Sequence, residues 1–155
     1  MKIIKAEKSD LKMILELQYS SYQSEAKLLN NFDIPPLKQT IKEAEQEYAK
    51  GLFLKAIDEN ENIIGSVRAY TENNTTYINK LIVLPEKQSQ GIGTKLIYEI
   101  ERKRPAKRYE LYTSDKSVRN IRLYERLGYI KFKEQKISDN LNMIFLEKYN
   151  PTVPL

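Results

Sequence analysis

The residues best suited to chemistry lie at a junction between a strand-like and a helix-like segment. The segment VLPEKQSQGIGTKL runs from Val83 to Leu96, and Gly91 and Gly93 stand where the helix would begin. A helix start carries unpaired backbone N–H groups and a partial positive charge, and glycine lets a ligand approach the backbone closely. The junction is therefore a candidate anion-binding site. A tight strand-to-helix turn without a ligand would also account for the two glycines.

Two common phosphate-binding motifs do not fit this junction. The P-loop requires a glycine five positions before Gly-Lys-Ser/Thr, whereas Gly93 is followed by Thr94 and no glycine stands five positions before it. The dinucleotide-binding fingerprint requires a third glycine three residues after Gly93, and that position is Leu96.

The chain contains neither cysteine nor histidine. The missing cysteine excludes a thiolate nucleophile, a disulfide and a CxxC metal site. The missing histidine excludes a Ser-His-Asp triad and the zinc sites built on imidazole. No metal site is therefore expected, and any chemistry must use carboxylates, tyrosine, lysine, backbone groups or a borrowed cofactor.

Length and charge set the broad class. A chain of 155 residues favours one domain, residues 1–155. The net charge of +5 is a mild bias towards anionic partners, although lysines that keep the surface solvated would produce it too. No segment approaches the ~18 apolar residues of a membrane span, and the charged N-terminal segment does not resemble a secretory signal. We expect a cytoplasmic protein without a membrane partner.

Hydrophobic periodicity and turn residues predict the element order β-α-α-β-β-β-α-β-α-β-β. The strands are predicted near 1–6, 52–57, 63–70, 75–83, 109–113, 130–137 and 141–148, and the helices near 11–22 or beyond, 41–50, 91–104 and 117–127. Asn30-Asn31 and the segment IPPL, residues 34–37, are predicted to break the first helix, and Thr40 can cap the second. This order predicts an α/β (α+β) fold: a mixed, mostly antiparallel sheet of about seven strands, flanked by about four helices on both faces.

Two motifs resemble those of the GNAT superfamily of N-acetyltransferases. The segment NIRLYERLGY, residues 120–129, is similar to the family's N-x-x-x-Y-x-x-x-G-[FY] segment. The family's acyl-CoA-binding pattern V-x-P-x-x-Q-x-x-G-x-G is matched by Val83, Pro85, Gln88, Gly91 and Gly93. Both motifs occur in the family's order and spacing. The resemblance covers about residues 52–148, and the N-terminal part only through its element order.

The resemblance implies the GNAT fold and an acetyl-CoA-dependent N-acetyltransferase, in which a primary amine attacks the thioester directly in a ternary complex. It implies that backbone amides of residues 88–94 bind the pyrophosphate of coenzyme A. It also implies that the strand ending at Val83 separates from its neighbour near Tyr112 and pairs with the pantetheine arm. The implied cofactor contacts are Leu81, Ile82, Val83, Gln88, Ser89, Gln90, Gly91, Ile92, Gly93, Thr94, Asn120 and Tyr124.

The resemblance implies that Tyr124 is the catalytic acid. A free thiol has a pKa of ~8.5 and a phenol one of ~10, so a tyrosine can supply a proton to the departing thiolate at modest cost. Position alone favours another interpretation, in which Tyr124 is a packed residue of an amphipathic helix beside Leu123 and Leu127.

The second half of the chemistry, deprotonation of the amine, departs from the family pattern. Many members place a glutamate four residues before the valine, and here that position is Asn79, which cannot accept a proton. An alkylamine has a pKa of ~10.4, so only about one molecule in a few thousand is free base at pH 7. Glu72, Glu25 or a chain of water molecules could serve instead. The water chain is preferred here, because Glu72 is expected to face solvent.

The acceptor contacts are predicted from helical and strand spacing. Tyr19, Tyr22 and Glu25 share one helix face, and Arg68 and Tyr70 share one face of a strand. An arginine and several tyrosines would suit a carboxylate or a polar metabolite, although ordinary amphipathic surface gives the same pattern. The predicted acceptor contacts are Tyr22, Glu25, Arg68, Tyr70 and Asn79.

Two rival functions remain open at this stage. Asn79 in place of a base is compatible with a non-catalytic acyl-CoA sensor on the same fold. The basic run RKRPAKR, residues 102–108, would suit a nucleic-acid-binding protein, although cations also favour a solvated helix end. We expect a small-molecule or peptide amine as acceptor, no nucleic acid, and a monomer or a homodimer that pairs through a C-terminal edge strand.

Overall fold

The computed structural model describes residues 1–153, in which seven strands form one mixed sheet. Their order is β1-β2-β3-β4-β5-β7-β6. Within these residues the β4–β5 pair is parallel and every other pair is antiparallel, which confirms the predicted sheet. The strands are β1 (Lys2–Lys5), β2 (Leu52–Ile57), β3 (Ile63–Glu72), β4 (Thr75–Val83), β5 (Arg108–Ser114), β6 (Ile130–Ser138) and β7 (Leu141–Tyr149).

Five α-helices and two short 3-10 turns connect the strands. The helices are α1 (Leu11–Leu29), α2 (Pro35–Lys38), α3 (Ile41–Lys50), α4 (Ile92–Lys103) and α5 (Val118–Arg126), and the 3-10 turns are Lys8–Asp10 and Pro85–Lys87. No helix of residues 1–153 has the length and apolar character that crossing a membrane requires.

The first helix was predicted to run to about Tyr22 or beyond and to be broken at Asn30-Asn31, and α1 does end at Leu29, where Asn30 adopts a left-handed φ of 50°. The turn α2 was not predicted, because Pro35 and Pro36 were interpreted as helix breakers. Both prolines occupy its first positions, where a helix needs no backbone N–H donor.

Apolar layers cover both faces of the sheet. On one face, α4 and α5 pack over the central strands, with Leu96, Ile97 and Ile100 fully buried. On the other face, Leu11 and Ile14 of α1 pack against β2. Burying a leucine or isoleucine side chain contributes about 1.5–3 kcal/mol, so these layers fix the positions of the helices relative to the sheet.

The parallel strands β4 and β5 pair only at their N-terminal ends. The pairing runs from Thr75 with Arg108 to Tyr77 with Glu110, and the strands separate beyond it. Past Tyr77 a β-bulge interrupts the pairing of β4 with β3, between the pair Asn79–Arg68 and the pair Ile82–Ser66. Lys80 lies in this bulge and has a left-handed φ of 54°. A bulge bends its strand and increases its twist. The separation predicted near Tyr112 is therefore present.

Beneath α1, α2 and α3 lies a buried polar cluster centred on Arg68, which is 2% exposed. Its guanidinium donates to Gln39 Oε1 at 3.1 Å, to Glu47 Oε2 at 2.7 Å and to Gln18 Oε1 at 2.9 Å. The guanidinium also lies 4.3 Å from the centre of the Phe53 ring. Arg68 thus ties β3 to α1, to α3 and to the chain between α2 and α3.

We expect Arg68→Met to lower the free energy of unfolding by about 2–4 kcal/mol, because buried amide and carboxylate oxygens would lose their donor. The matched control is Arg102→Met, which removes an exposed ion pair with Glu99 and should cost less than about 1 kcal/mol. Urea unfolding of both variants measures the difference, and equal losses would contradict the role of the cluster.

Candidate active site

A cleft of about 1370 Å³ opens where β4 and β5 separate. Residues 78–83 of β4 and residues 112–114 of β5 form its two strand walls. Parts of α1 and α2 and the starts of α4 and α5 line the rest of the cleft. The cleft therefore brings together residues from four helices and two strands.

One edge of β4 is free along this cleft. Its other edge pairs with β3 along the cleft, from Ile78 with Ala69 to Val83 with Gly65. The pairing of β4 with β5, in contrast, ends at Tyr77. The cleft-facing backbone groups of residues 78–83 therefore have no strand partner within the described chain. An extended, amide-containing ligand can pair with such an edge as an added strand.

The loop before α4 presents a set of unpaired backbone amides. Ser89 and Gly91 both adopt left-handed conformations, with φ of 64° and 82°. Within residues 1–153 the amides of residues 90–94 donate no hydrogen bond, and the first helical bond runs from Lys95 N to Gly91 O at 3.1 Å. Several N–H groups and the helix dipole thus meet at one point, which is the arrangement that binds phosphate.

Gly91 and Gly93 serve different purposes in this loop. A Cβ on Gly91 would meet nothing within 4 Å, so glycine is favoured there by its positive φ. A Cβ on Gly93 would lie 3.3 Å from Leu123 Cδ2 and 3.6 Å from Leu81 Cδ2. Gly93 therefore lets the start of α4 pack closely against β4 and α5.

Arg119, on α5, faces the same loop and was not predicted. Its guanidinium donates to Gln88 Oε1 at 2.7 Å and to Ser89 Oγ. Gln88 in turn donates from Nε2 to Val83 O at 3.2 Å. The sequence offered only the position of Arg119 directly before Asn120 of the second motif. These contacts place a cation beside the unpaired amides.

Tyr124 is 4% exposed and lines the cleft. Its ring lies 6.1 Å from the ring of Tyr129, and its hydroxyl makes no hydrogen bond to another described residue. Burial raises the pKa of Tyr124 above its ordinary value. The phenol consequently stays protonated over the physiological pH range and is available to a ligand as a donor.

The structure brings together most of the residues predicted to bind the cofactor. Gln90 is the exception, since it shares a shallow depression with residues of the β2–β3 turn. The predicted cofactor residues that line the cleft are Leu81, Ile82, Val83, Gln88, Ser89, Gly91, Ile92, Gly93, Thr94, Asn120 and Tyr124.

Three of the predicted acceptor residues, Tyr22, Glu25 and Asn79, also line the cleft. Burial raises the pKa of Glu25, although the hydroxyls of Ser114 and Ser117 favour its carboxylate form. Burial and the nearby Glu25 raise the pKa of Tyr22, which keeps that phenol protonated. Asn79 Oδ1 is buried and has no hydrogen-bond partner within residues 1–153.

Two other acceptor predictions, Arg68 and Tyr70, need correction. Arg68 does not line the cleft, because its guanidinium is enclosed by the amide and carboxylate side chains beneath the helices. Tyr70 is 40% exposed and stacks on Tyr77 with ring centres 5.1 Å apart, over the part of the sheet where β4 and β5 are still paired. Glu72, considered as a base, lies exposed at the end of β3, outside the cleft.

The basic run 102–108 is partly neutralised by carboxylates. Arg108 lies 2.7 Å from Glu147 and 2.8 Å from Glu110, and Arg102 pairs with Glu99 at 2.5 Å. The run thus contributes ion pairs to the protein surface. This arrangement weakens the nucleic-acid interpretation.

Comparison with known proteins agrees with this geometry. A family model described as the acetyltransferase (GNAT) family matches residues 11–129, a range that includes both motifs and both ends of the cleft. A search of curated protein sequences found no match.

Solved structures share the fold over nearly the whole chain. A GNAT-family acetyltransferase from Staphylococcus aureus Mu50 is 20% identical with a TM-score of 0.76, and the alignment covers 96% of this chain and 98% of that one. A phosphinothricin acetyltransferase from Sinorhizobium meliloti, in complex with acetyl-CoA, is 18% identical over 96% and 87%, with a TM-score of 0.75. PaiA N-acetyltransferase from Thermoplasma acidophilum, in complex with coenzyme A, is 18% identical over 96% and 98%, with a TM-score of 0.76.

Identities this low establish the shared fold alone. The family match, in contrast, spans most of the sequence and both of its motifs. It confirms the resemblance on which the cofactor and acid predictions rest: the chain belongs to the acetyltransferase (GNAT) family.

Proposed function

We propose that the protein transfers the acetyl group of acetyl-CoA to a primary amine, which attacks the thioester directly in a ternary complex. The observation that carries this proposal is the cleft between β4 and β5. It joins a free strand edge, a set of unpaired amides and a buried phenol in one continuous space. The complexes of the S. meliloti and T. acidophilum relatives with acetyl-CoA and coenzyme A support the choice of acyl donor.

The residues present fit coenzyme A. The amides of residues 90–94 and the guanidinium of Arg119 would hold the pyrophosphate, since charge-assisted hydrogen bonds contribute roughly 1.5–3 kcal/mol each. The free edge of residues 81–83 would pair with the amides of the pantetheine arm. Asn120, half-buried at the start of α5, would hold the arm by its side-chain amide.

Tyr124 acts as the general acid in this proposal. As the C–S bond breaks, negative charge develops on sulfur, and a neutral phenol beside it stabilises that charge by hydrogen bonding. Full proton transfer from a buried phenol to a thiolate is uphill in isolation, because the phenol has the higher pKa. The proton therefore moves as the bond breaks and not before. No cysteine is present to carry the acetyl group, which favours direct attack.

The acceptor is a small-molecule or peptide amine, and the enzyme acts in the cytoplasm as a monomer or homodimer. Calorimetry with acetyl-CoA and thiol release in the presence of a panel of amines test the whole proposal. Saturable binding with turnover is the expected result. Binding without turnover for any amine would instead favour an acyl-CoA sensor.

We expect Tyr124→Phe to lower kcat by about 100-fold or more, because general acid catalysis contributes typically 10²–10⁴-fold. The affinity for acetyl-CoA should change by less than about 3-fold, since no ground-state contact depends on the hydroxyl alone. Steady-state kinetics and calorimetry measure the two quantities. The matched control is Tyr98→Phe, an exposed tyrosine of α4, and unchanged turnover in Tyr124→Phe would remove the acid role.

We expect Arg119→Gln to weaken acetyl-CoA binding by about 10-fold, because the loop would lose its one cation in contact with Gln88 and Ser89. The defect should shrink as salt is added. Arg122→Gln is the matched control, since Arg122 is exposed on the same helix. Calorimetry at two ionic strengths measures both variants, and equal affinities would show that Arg119 makes no contact with phosphate.

A further inference from the structure

We propose that Glu25 and Asn79 together receive the ammonium group of the acceptor, and that Glu25 takes its proton. This inference rests on the proposed function and deepens it. It replaces the water chain preferred from sequence with a side chain that lies in the cleft.

The first observation is the buried oxygen of Asn79. Asn79 Oδ1 lies on the cleft wall formed by β4, shielded from solvent, without a donor from residues 1–153. A buried acceptor without a partner is costly, so such a group marks a position where a donor arrives with a ligand. The amide oxygen can only accept from that ligand. An N–H of the acceptor amine supplies such a donor beside the free edge of β4.

The second observation is the carboxylate of Glu25, a residue of α1 that lines the same cleft as Asn79. It makes no ion pair with a lysine or arginine of the described chain. Burial is the main cause that raises its pKa, and the hydroxyls of Ser114 and Ser117 oppose that rise. The carboxylate is thus partly desolvated and free to accept a proton or to pair with a cation from solution.

Other titratable groups near Glu25 leave this assignment intact. Tyr22, on the same helix, and Tyr124, on α5, have pKa values raised by burial, so both remain neutral phenols. The cations that line the cleft are Lys38, Lys80, Lys87, Lys116, Arg119 and Arg126, and among the described residues none of them forms an ion pair with Glu25.

The proton balance of the reaction follows from these positions. The ammonium nitrogen gives one proton to the carboxylate of Glu25, and its freed electron pair attacks the carbonyl carbon to form the N–C bond. The C–S bond then breaks, and sulfur takes a proton from Tyr124. The second proton of the nitrogen returns to the Tyr124 oxygen and replaces the proton that the phenol gave to sulfur. Glu25 releases its proton to solvent, so one proton leaves for each amide formed.

The test uses the full chain with butylamine as acceptor and saturating acetyl-CoA, and it compares Glu25→Gln with Glu72→Gln as matched control. In the wild type, kcat/KM for butylamine should rise with pH through a limb that lies above the ordinary glutamate range and below the amine's own pKa. The rate rises with pH because the unprotonated carboxylate of Glu25 becomes the main form only when the pH exceeds its raised pKa. Glu25→Gln should lose this pH-dependent limb, and its kcat/KM should fall at least 30-fold. Glu72→Gln should keep the limb and the wild-type kcat/KM. Glu25→Asp should restore part of the activity together with the limb.

Calorimetry with acetyl-CoA separates failure of this inference from failure of the proposed function. Glu25→Gln should bind acetyl-CoA as the wild type does, which also shows that the variant is folded. If the wild type binds acetyl-CoA but acetylates no amine, the transfer reaction itself fails and this inference with it. If the wild type acetylates butylamine and Glu25→Gln keeps the same rate and pH profile, the reaction stands and the role of Glu25 is overturned.

Discussion

The separation of β4 from β5 beyond Tyr77 is the constraint on which the active site depends. A parallel pair that stops early leaves backbone groups unpaired inside the protein, which costs free energy unless a ligand satisfies them. The apolar layer under α4 and α5 offsets this cost, because it holds both strands on the same buried surface. The bulge at Lys80 lies in the part of β4 that no longer pairs with β5. The cleft is therefore part of the fold and does not depend on a side-chain rearrangement.

Polar side chains, and not an apolar layer, fix the positions of α1, α2 and α3 beside the cleft. The cluster around Arg68 joins three helical segments to β3 by directional hydrogen bonds between side chains far apart in sequence. Such bonds fix orientation more strictly than apolar contacts do. The carboxylate of Glu47 completes the cluster and also pairs with Lys80, so the same network that positions the helices removes a positive charge from the acceptor end.

The sequence predicted the backbone better than the side-chain partners. Periodicity placed β2 and β4 at their observed bounds, and Thr40 was correctly expected to cap α3. These features depend on residues close in the chain. The partners of Arg68 are 21 to 50 positions away, and Arg119 contacts a loop 30 positions earlier, so no local pattern could reveal them. Gln90 lies inside the first motif at a position that the pattern leaves unspecified, and it lines the depression beside the β2–β3 turn instead of the cleft.

The charge pattern along the cleft explains why an asparagine can occupy the position where many family members have a glutamate. In the proposed mechanism Glu25 already supplies one carboxylate to a partly desolvated site. A second carboxylate at position 79 would face it across the acceptor amine, and like charges in such a site raise each other's pKa until one is protonated. A protonated acid there would offer the ammonium group no better acceptor than an amide does. Asn79 keeps the oxygen that binds the amine and leaves Glu25 as the single base of the proposed mechanism, so the proton of the ammonium group has one destination.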